Sequence, residues 1–376
     1  MGMTRAEACL ILNMVDHIGP VTVRRLSERF GNPEAILETS DRELRSVNGV
    51  GKEMARAISR WREEIPWEKE LENAVAQGLR LVCAEDPDYP VLLRQIHDPP
   101  LVLYVRGRLE GGDKNSIAVV GARHPSHYGQ ETARRFGFQF ANIGMTVVSG
   151  LAAGIDSAAH RGCLQAKGRT VAVLGFGFDY LPKADHAKLA EEIVAGGGAV
   201  VSEFSMGKKP DRQTFPMRNR IVSGMSLGTL VIEAGAASGA LITANFASEQ
   251  GRQVFAVPGR IDQPNSLGCH KLIQTGAKLV QCVEDVLEEF EMLLPRGPDR
   301  AKEGEDGAPP AISVKLTETE RLVFSAVGRE ETPIDSIMEA GELPPSVVSA
   351  TLMVLELKKL VRQFPGKLYV RLVDLA

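Results

Sequence analysis

From residue 116 onward the chain repeats one hydrophobic pattern. Short apolar runs begin near Ser116 (IAVV), Met145 (TVVS), Thr170 (VAVL), Ala199 (VVSE), Gly228 (TLVIE) and Gln253 (VFAV), at spacings of 29, 25, 29, 29 and 25 residues. Runs that are continuous rather than alternating belong to strands buried on both faces, and the spacing is that of a strand plus a crossover helix. The pattern predicts a doubly wound α/β fold around a parallel sheet. One more run, Leu101-Val102-Leu103-Tyr104-Val105, lies between Asp98-Pro99-Pro100 and Arg106-Gly107 and reads as a further strand of the same domain.

The flanks carry other periods. Over residues 1–65, Leu10, Ile11, Met14, Val15 and Ile18 recur at helical spacing until Gly19-Pro20, and a second helix over 21–30 stops at Gly31-Asn32-Pro33. Val47-Asn48-Gly49-Val50-Gly51-Lys52 separates helices expected over 41–46 and 53–61, the layout of one helix-hairpin-helix, whose free backbone amides suit a phosphate. Ten basic and ten acidic residues balance through residue 65, which favours a small helical bundle over tight DNA binding. At the other end, residues 294–310 are rich in Gly, Pro and charge and read as a linker. Beyond it, Thr317 with Glu320 forms a capping-box signature for a helix over 318–327. A helix over 334–340, a turn at 341–345, a helix over 346–360 and strands at 361–364 and 368–372 come next, the order of a winged helix. Its second long helix has only Lys358 and Lys359 as basic residues, and the unit holds eight basic against nine acidic residues, so protein contact or a structural role is favoured over major-groove reading. The expected domains are 1–65, 66–292 with a core at 113–290, a linker over 293–312, and 313–376.

Composition narrows the setting. The 376 residues are 44% apolar with a formal net charge of −4, enough for two or three globular domains. Five scattered cysteines without a Cys-x-x-Cys pair argue against disulfides or a structural zinc and for a reducing cytosol. No stretch approaches the ~18 uninterrupted apolar residues of a membrane span, so a soluble cytoplasmic protein is expected.

The candidate chemistry lies in the loops at the carboxyl ends of these strands: Gly121-Ala122-Arg123, Ser149-Gly150-Leu151-Ala152-Ala153-Gly154, Gly175-Phe176-Gly177, Ala234-Gly235-Ala236-Ala237-Ser238-Gly239 and Pro258-Gly259. Such small-residue loops along one edge of a parallel sheet let backbone amides and helix N-termini approach an anionic ligand. Gly175-Phe176-Gly177 lacks the third glycine of a dinucleotide fingerprint and no Walker pattern occurs, so no cofactor is expected. Asp156 and His160, four apart, and Glu203 and Glu233 at strand ends offer acid–base groups, but no nucleophile elbow or metal cluster joins them, and His160 reads as a packing or capping partner of Asp156. Against an acidic background, residues 204–224 hold Lys208, Lys209, Arg212, Arg218 and Arg220 with Asp211 alone opposing them. This basic stretch, read as leading into a helix, brings Arg212, Arg218, Asn219 and Arg220 to the edge that carries Gly121, Arg123, Ser149, Gly150 and Lys183, with Asn219 a possible helix cap. Backbone amides rimmed by arginine suit an extended polyanion such as single-stranded nucleic acid. Aromatic residues are only 5% of the chain, but Phe178, Tyr180, Phe204 and Phe215 fall in the relevant loops.

These motifs resemble the DNA-processing protein A (DprA, or Smf) family: IAVVGAR (117–123), SGLAAGIDSAAH (149–160), VAVLGFGFD (171–179), SEF (202–204), FPMRNRIVSG (215–224), VIEAGAASGALITA (231–244), VFAVPG (254–259) and GCHKLIQTGAKLV (268–280). The resemblance implies an extended Rossmann-like domain that dimerises, binds single-stranded DNA in a basic pocket and loads the RecA recombinase on it in natural transformation, with no catalytic activity. This chain departs from the family in two places. It has Ala237 and Ala240 where relatives carry a basic residue and a hydroxyl, and Asp179-Tyr180-Leu181-Pro182 is one residue shorter than their pattern, which weakens the transfer of a DNA role to Lys183. The alternative is a nucleotide-processing enzyme of the phosphoribohydrolase type, for which Ser226-Leu227-Gly228-Thr229 and Glu233 supply only part of the required loop.

Overall fold

The computed structural model describes residues 3–16, 18–181 and 185–293, and in the C-terminal part 318–328, 332–341, 343–344, 347–348, 351–352, 355, 360–364 and 368–371. Two compact units result, Met1–Leu294 and Pro295–Ala376.

The first unit is built on a nine-stranded sheet. Its strands are β1 (Arg80–Cys83), β2 (Val102–Gly107), β3 (Ser116–Gly121), β4 (Thr146–Ser149), β5 (Thr170–Val173), β6 (Ala199–Ser202), β7 (Gly228–Ile232), β8 (Gln253–Ala256) and β9 (Lys278–Leu279). The spatial order is β1-β2-β6-β5-β4-β3-β7-β8-β9; β6 through β9 run parallel, while β2 is antiparallel to β6 and β1 to β2. All six repeating runs are strands, and the run after Asp98-Pro99-Pro100 is β2. Alternate residues serve opposite faces. Ala118 and Val120 pack with Ile221, Val222 and Ala244 on one side, and Ile117 and Val119 pack with Phe136, Phe140 and Ile155 on the other. The flanking layers among the described residues are α1 (His127–Asn142), α2 (Ile155–Gln165), α3 (Asp185–Ala195), α4 (Thr214–Gly224), α5 (Gly239–Glu249), α6 (Leu267–Gln274) and α7 (Val283–Leu293). The chain reverses its lateral direction between β3 and β7, so the crevice above those two carboxyl ends is a topological switch point, where open α/β sheets take their ligands.

Short helices between Arg5 and Ala76 precede the sheet. The first, Arg5–Met14, has two apolar faces: Ala8, Ile11, Leu12 and Val15 join a helical core with Leu26, Leu44 and Trp61, whereas Cys9 and Leu10 pack with Tyr104 and Leu174 of the sheet side. The hairpin glycines behave as their positions require: Gly49 sits at φ +87°, and Gly51 is the N-cap of the helix Lys52–Ser59. In the second unit, helices Glu318–Ala326 and Ile334–Gly341 and a three-stranded antiparallel sheet of Thr332–Pro333, Leu368–Arg371 and Val361–Phe364 enclose a core of Val323, Ile337, Leu352 and Tyr369. This is a winged helix; most of the helix expected over 346–360, the Thr317 cap and the linker lie outside the described residues.

Candidate nucleic-acid interface

The basic stretch does lead into a helix: Lys208, Lys209 and Arg212 lie in the loop before α4, while Arg218 and Arg220 fall within it. Its lone acid begins α4: Asp211 Oδ1 accepts hydrogen bonds from Gln213 N (2.7 Å) and Thr214 N (2.8 Å), and these bonds hold its carboxyl below the usual carboxylate range. Pro216 falls in the first turn, where no backbone N–H is needed. The helical register then decides which cation meets solvent. Arg218 and Arg220 are each only 5% exposed, an outcome that a count of charges does not give.

Arg218 runs under the crest. Its Nη1 donates to Gly150 O at 2.5 Å and to Val173 O, its Nε donates to Asn219 Oδ1 at 3.1 Å, and a Cβ on Gly150 would stand about 2.5 Å from the guanidinium. It faces Asp156, whose Oδ2 accepts from Gly150 N (3.1 Å) and Ala152 N (3.3 Å). The loop after β4 is thus gripped from both sides, with Leu151 held at φ +55°, a conformation that a branched residue rarely adopts. Burial pushes the Arg218 guanidinium down to about 10, Asp156 opposes that shift, and Arg123 adds to it. Burial raises the Asp156 carboxyl, against the pull of Arg218 and the two amides.

Arg220 goes elsewhere. Its Nε meets Asp98 Oδ2 at 3.0 Å and its Nη2 meets Glu203 Oε2, so the Asp98-Pro99-Pro100 lead-in, the end of β6 and α4 share one ion-pair network, buried at Arg220 and Glu203 and open to solvent at Asp98. Tyr89 Oη donates to Pro100 O at 2.8 Å and closes the same corner. Arg220 does not line the groove. Ser149 does not either: it is fully buried, and its hydroxyl donates to Val119 O at 2.6 Å, tying β4 to β3.

The groove holds the other described candidates. A cavity of about 700 Å³ opens at the β3–β7 switch point, lined by Gly121, Arg123, Gly150, Arg212, Arg218 and Asn219, with Phe215 and the Ala237-Ser238-Gly239-Ala240 turn opposite. Arg123 is exposed and its guanidinium lies 5.1 Å from the centroid of the Phe215 ring. A smaller recess of about 210 Å³ next to it is walled by Leu151, Leu174, Phe176 and Phe215. Ser238 caps α5, its side chain accepting from Ala240 N at 3.3 Å, so the positive end of that helix faces the cavity. Asn219 is mid-helix, and its Nδ2 donates to Gly239 O at 3.3 Å; it braces α4 against α5 instead of capping a helix. Lys183 lies outside the described residues. The two alanine departures fall on the cavity wall.

The acid–base candidates have structural partners. Glu233, at φ +49°, accepts from Ser126 N (2.8 Å) and from the Ser126 hydroxyl, at the N-terminus of α1. His160 does not pair with Asp156; its Nδ1 meets Thr170 Oγ1 at 2.7 Å. Thr170 Oγ1 gives its own hydrogen to Val147 O (2.7 Å), so Nδ1 carries the imidazole proton. Burial pushes the His160 ring down to about 3, with Arg218 adding to the shift, and it is neutral at ordinary pH. No group of three or more potential metal ligands occurs among the described residues. The grip of Asp156 on the loop and the apolar recess leave no pattern in the sequence, because their parts come together only in the fold. A Ser-Gly pair opening α5 was the available signal for the cap.

Residues 80–291 match the family model of the DNA recombination-mediator protein A, 307–367 that of the DprA winged helix domain, and 14–70 that of a helix-hairpin-helix motif. The chain is 35% identical to Protein Smf of Synechocystis sp. over 96% of its own length and 98% of that relative's. It is 44% identical to Protein Smf of Escherichia coli over 78% of this chain and 77% of that one. The X-ray structure of DNA processing protein A from Streptococcus pneumoniae superposes with a TM-score of 0.65 at 34% identity, covering 77% of this chain and 99% of that one. The Helicobacter pylori protein, solved for its single-stranded DNA binding mode, shares the fold at 22% identity and a TM-score of 0.50, over 57% of this chain and 98% of its own.

Proposed function

The chain belongs to the DNA recombination-mediator protein A family, and from that premise we propose that it binds single-stranded DNA along the switch-point groove and delivers it to the RecA recombinase. It does so as a cytoplasmic homodimer without catalysis of its own. The observation that carries this reading is the exposed Arg123 guanidinium against the Phe215 ring, at the mouth of a cavity with Arg212 and the N-terminus of α5. A guanidinium contacts phosphate oxygens, an aromatic face stacks a base, and a helix N-terminus adds donors without reading sequence. Arg218 and Asp156 support the site from beneath, shaping the Gly150 loop. Arg220 serves the fold through Asp98 and Glu203.

Among the described residues no helix is long and apolar enough to cross a membrane. A phosphoribohydrolase would need a carboxylate free at the groove. Glu233 is instead engaged by Ser126, which supports binding without chemistry.

The test titrates labelled oligo-dT and a duplex of equal length with the full chain, then asks whether the chain speeds RecA filament assembly on that single strand. Preference for the single strand, lost together with RecA stimulation in Arg123→Ala, is expected. Equal binding of both DNA forms, or release of base from a nucleoside monophosphate, contradicts the proposal.

A further inference from the structure

Glu70 is a buried carboxylate that the groove does not use. It sits in the helix Trp67–Ala76, and its Oε1 accepts two hydrogen bonds of 2.7 Å, one from the Tyr104 hydroxyl of β2 and one from Met206 N just beyond β6. Both donors are neutral. Its two described partners make the carboxylate a link between β2 and the turn beyond β6.

The second donor indicates what the link does. Met206 belongs to the segment 203–213, which carries the exposed Lys208, Lys209 and Arg212 and feeds directly into α4. Other bonds hold the same segment and its neighbour after β5. Asn13 Nδ2 donates to Glu203 O at 3.0 Å, Gly177 N to Lys208 O at 2.9 Å and Asp179 N to Met206 O at 3.2 Å. Gln77 Nε2 in turn donates to Asp179 Oδ1 at 2.8 Å. The N-terminal helices therefore reach both crest loops, through Asn13, Glu70 and Gln77, and only the Glu70 bond is a fully buried, charge-assisted one.

We propose that Glu70 is a positioning residue for the bound strand: it fixes the basic segment 207–212 over the groove, so that the N-terminal helical module acts on single-stranded DNA through this segment. The inference rests on the groove being the single-stranded-DNA site. Lys208, Lys209 and Arg212 would each meet a phosphate only if the segment holds one course, and Glu70 supplies its buried anchor.

The test measures oligo-dT affinity and its salt dependence for the full chain and for Glu70→Ala, Glu70→Gln, the triple variant K208A/K209A/R212A, and the triple variant with Glu70→Ala added. Single strands contribute a slope of roughly −0.7 per neutralised phosphate, which is about fivefold in affinity at ~0.1 M salt. Glu70→Ala is expected to weaken binding by about fivefold for each displaced cation, with the slope shallower by about 0.7 each. Glu70→Gln keeps an oxygen that accepts both bonds and is expected to bind like the parent. In the triple background, Glu70→Ala is expected to change nothing. Should Glu70→Ala fold poorly, Asn13→Ala releases the same segment from its half-buried bond and is expected to be weakening in the parent and silent in the triple variant.

An equal loss with and without the three cations means a general effect on stability and overturns the proposal. Unchanged binding in both Glu70→Ala and Asn13→Ala, with the triple variant weakened, also overturns it while leaving the groove intact. If the triple variant and Arg123→Ala both bind like the parent, the groove reading falls and takes this proposal with it.

Discussion

Arg123 and Arg218 both line the groove but differ in what they hold, and replacing each with alanine separates architecture from contact. Arg218→Ala removes a buried cation that faces Asp156 and donates to Gly150 O and Val173 O. Its loss leaves two buried carbonyls without a charged donor, and at about 1.5–3 kcal/mol for each such hydrogen bond the cost is about 3–6 kcal/mol. For the unit Met1–Leu294, an unfolding entropy of about 2.1 cal/mol/K per residue gives roughly 600 cal/mol/K, so Tm is expected to fall by about 5–10 °C. Arg123→Ala removes an exposed side chain whose only described partner is the Phe215 ring, and an exposed substitution of this kind stays within about 0.5 kcal/mol, or roughly 1 °C. Calorimetry of both variants beside oligo-dT titrations over a range of salt reads the two quantities at once. Arg123→Ala should keep its Tm and lose about 0.7 of salt slope; Arg218→Ala should lose Tm first. A Tm for Arg218→Ala within about 1 °C of the parent, combined with a binding loss like that of Arg123→Ala, refutes the assignment of Arg218 to the scaffold.

The same contacts give three further expected outcomes. Gly150→Ala puts a methyl where the Arg218 guanidinium lies and should abolish oligo-dT binding in a protein of lowered Tm, while Gly112→Ala, with open space around it and outside the groove lining, should bind normally. His160 is held near 3 in the fold against an ordinary value of 6.5, so the unfolded chain takes the proton first; its contribution is complete above about pH 6.5 and is lost as pH falls toward 3, by at most about 1.4 kcal/mol per pH unit, and His160→Gln should flatten the denaturant midpoint across that window. Ala237→Arg places a cation on the cavity wall and should tighten oligo-dT binding about fivefold at ~0.1 M salt with a slope steeper by about 0.7, read by the same titration.

The fold was legible where burial leaves a period. Six apolar runs spaced by a strand and a helix announced β3 through β8, and Leu101 to Val105 announced β2. By contrast, β1 (RLVC) and β9 (KL) are short edge strands with a charged residue each, and edges need no continuous apolar run. The site was legible as a place more than as a set of contacts. Glycine loops at strand ends marked the crest, and the switch point fixed where it opens. The roles of Arg218 and Arg220 were not legible, because adjacent charges in sequence look alike until a helix turns them apart. Their partners, Gly150, Val173, Asp98 and Glu203, lie 17 to more than 100 residues away. The same distance hid Glu70, whose partner Met206 is 136 residues away.

In the proposed function, the exposed cations of the switch-point groove neutralise the phosphates of a single strand. Oligo-dT binding by the full chain, measured between about 50 and 300 mM salt, tests it most directly against the double variant R123A/R212A. A steep log–log slope is expected for the parent and one shallower by about 1.4 for the variant, with unchanged Tm. Identical slopes for the two proteins would contradict it.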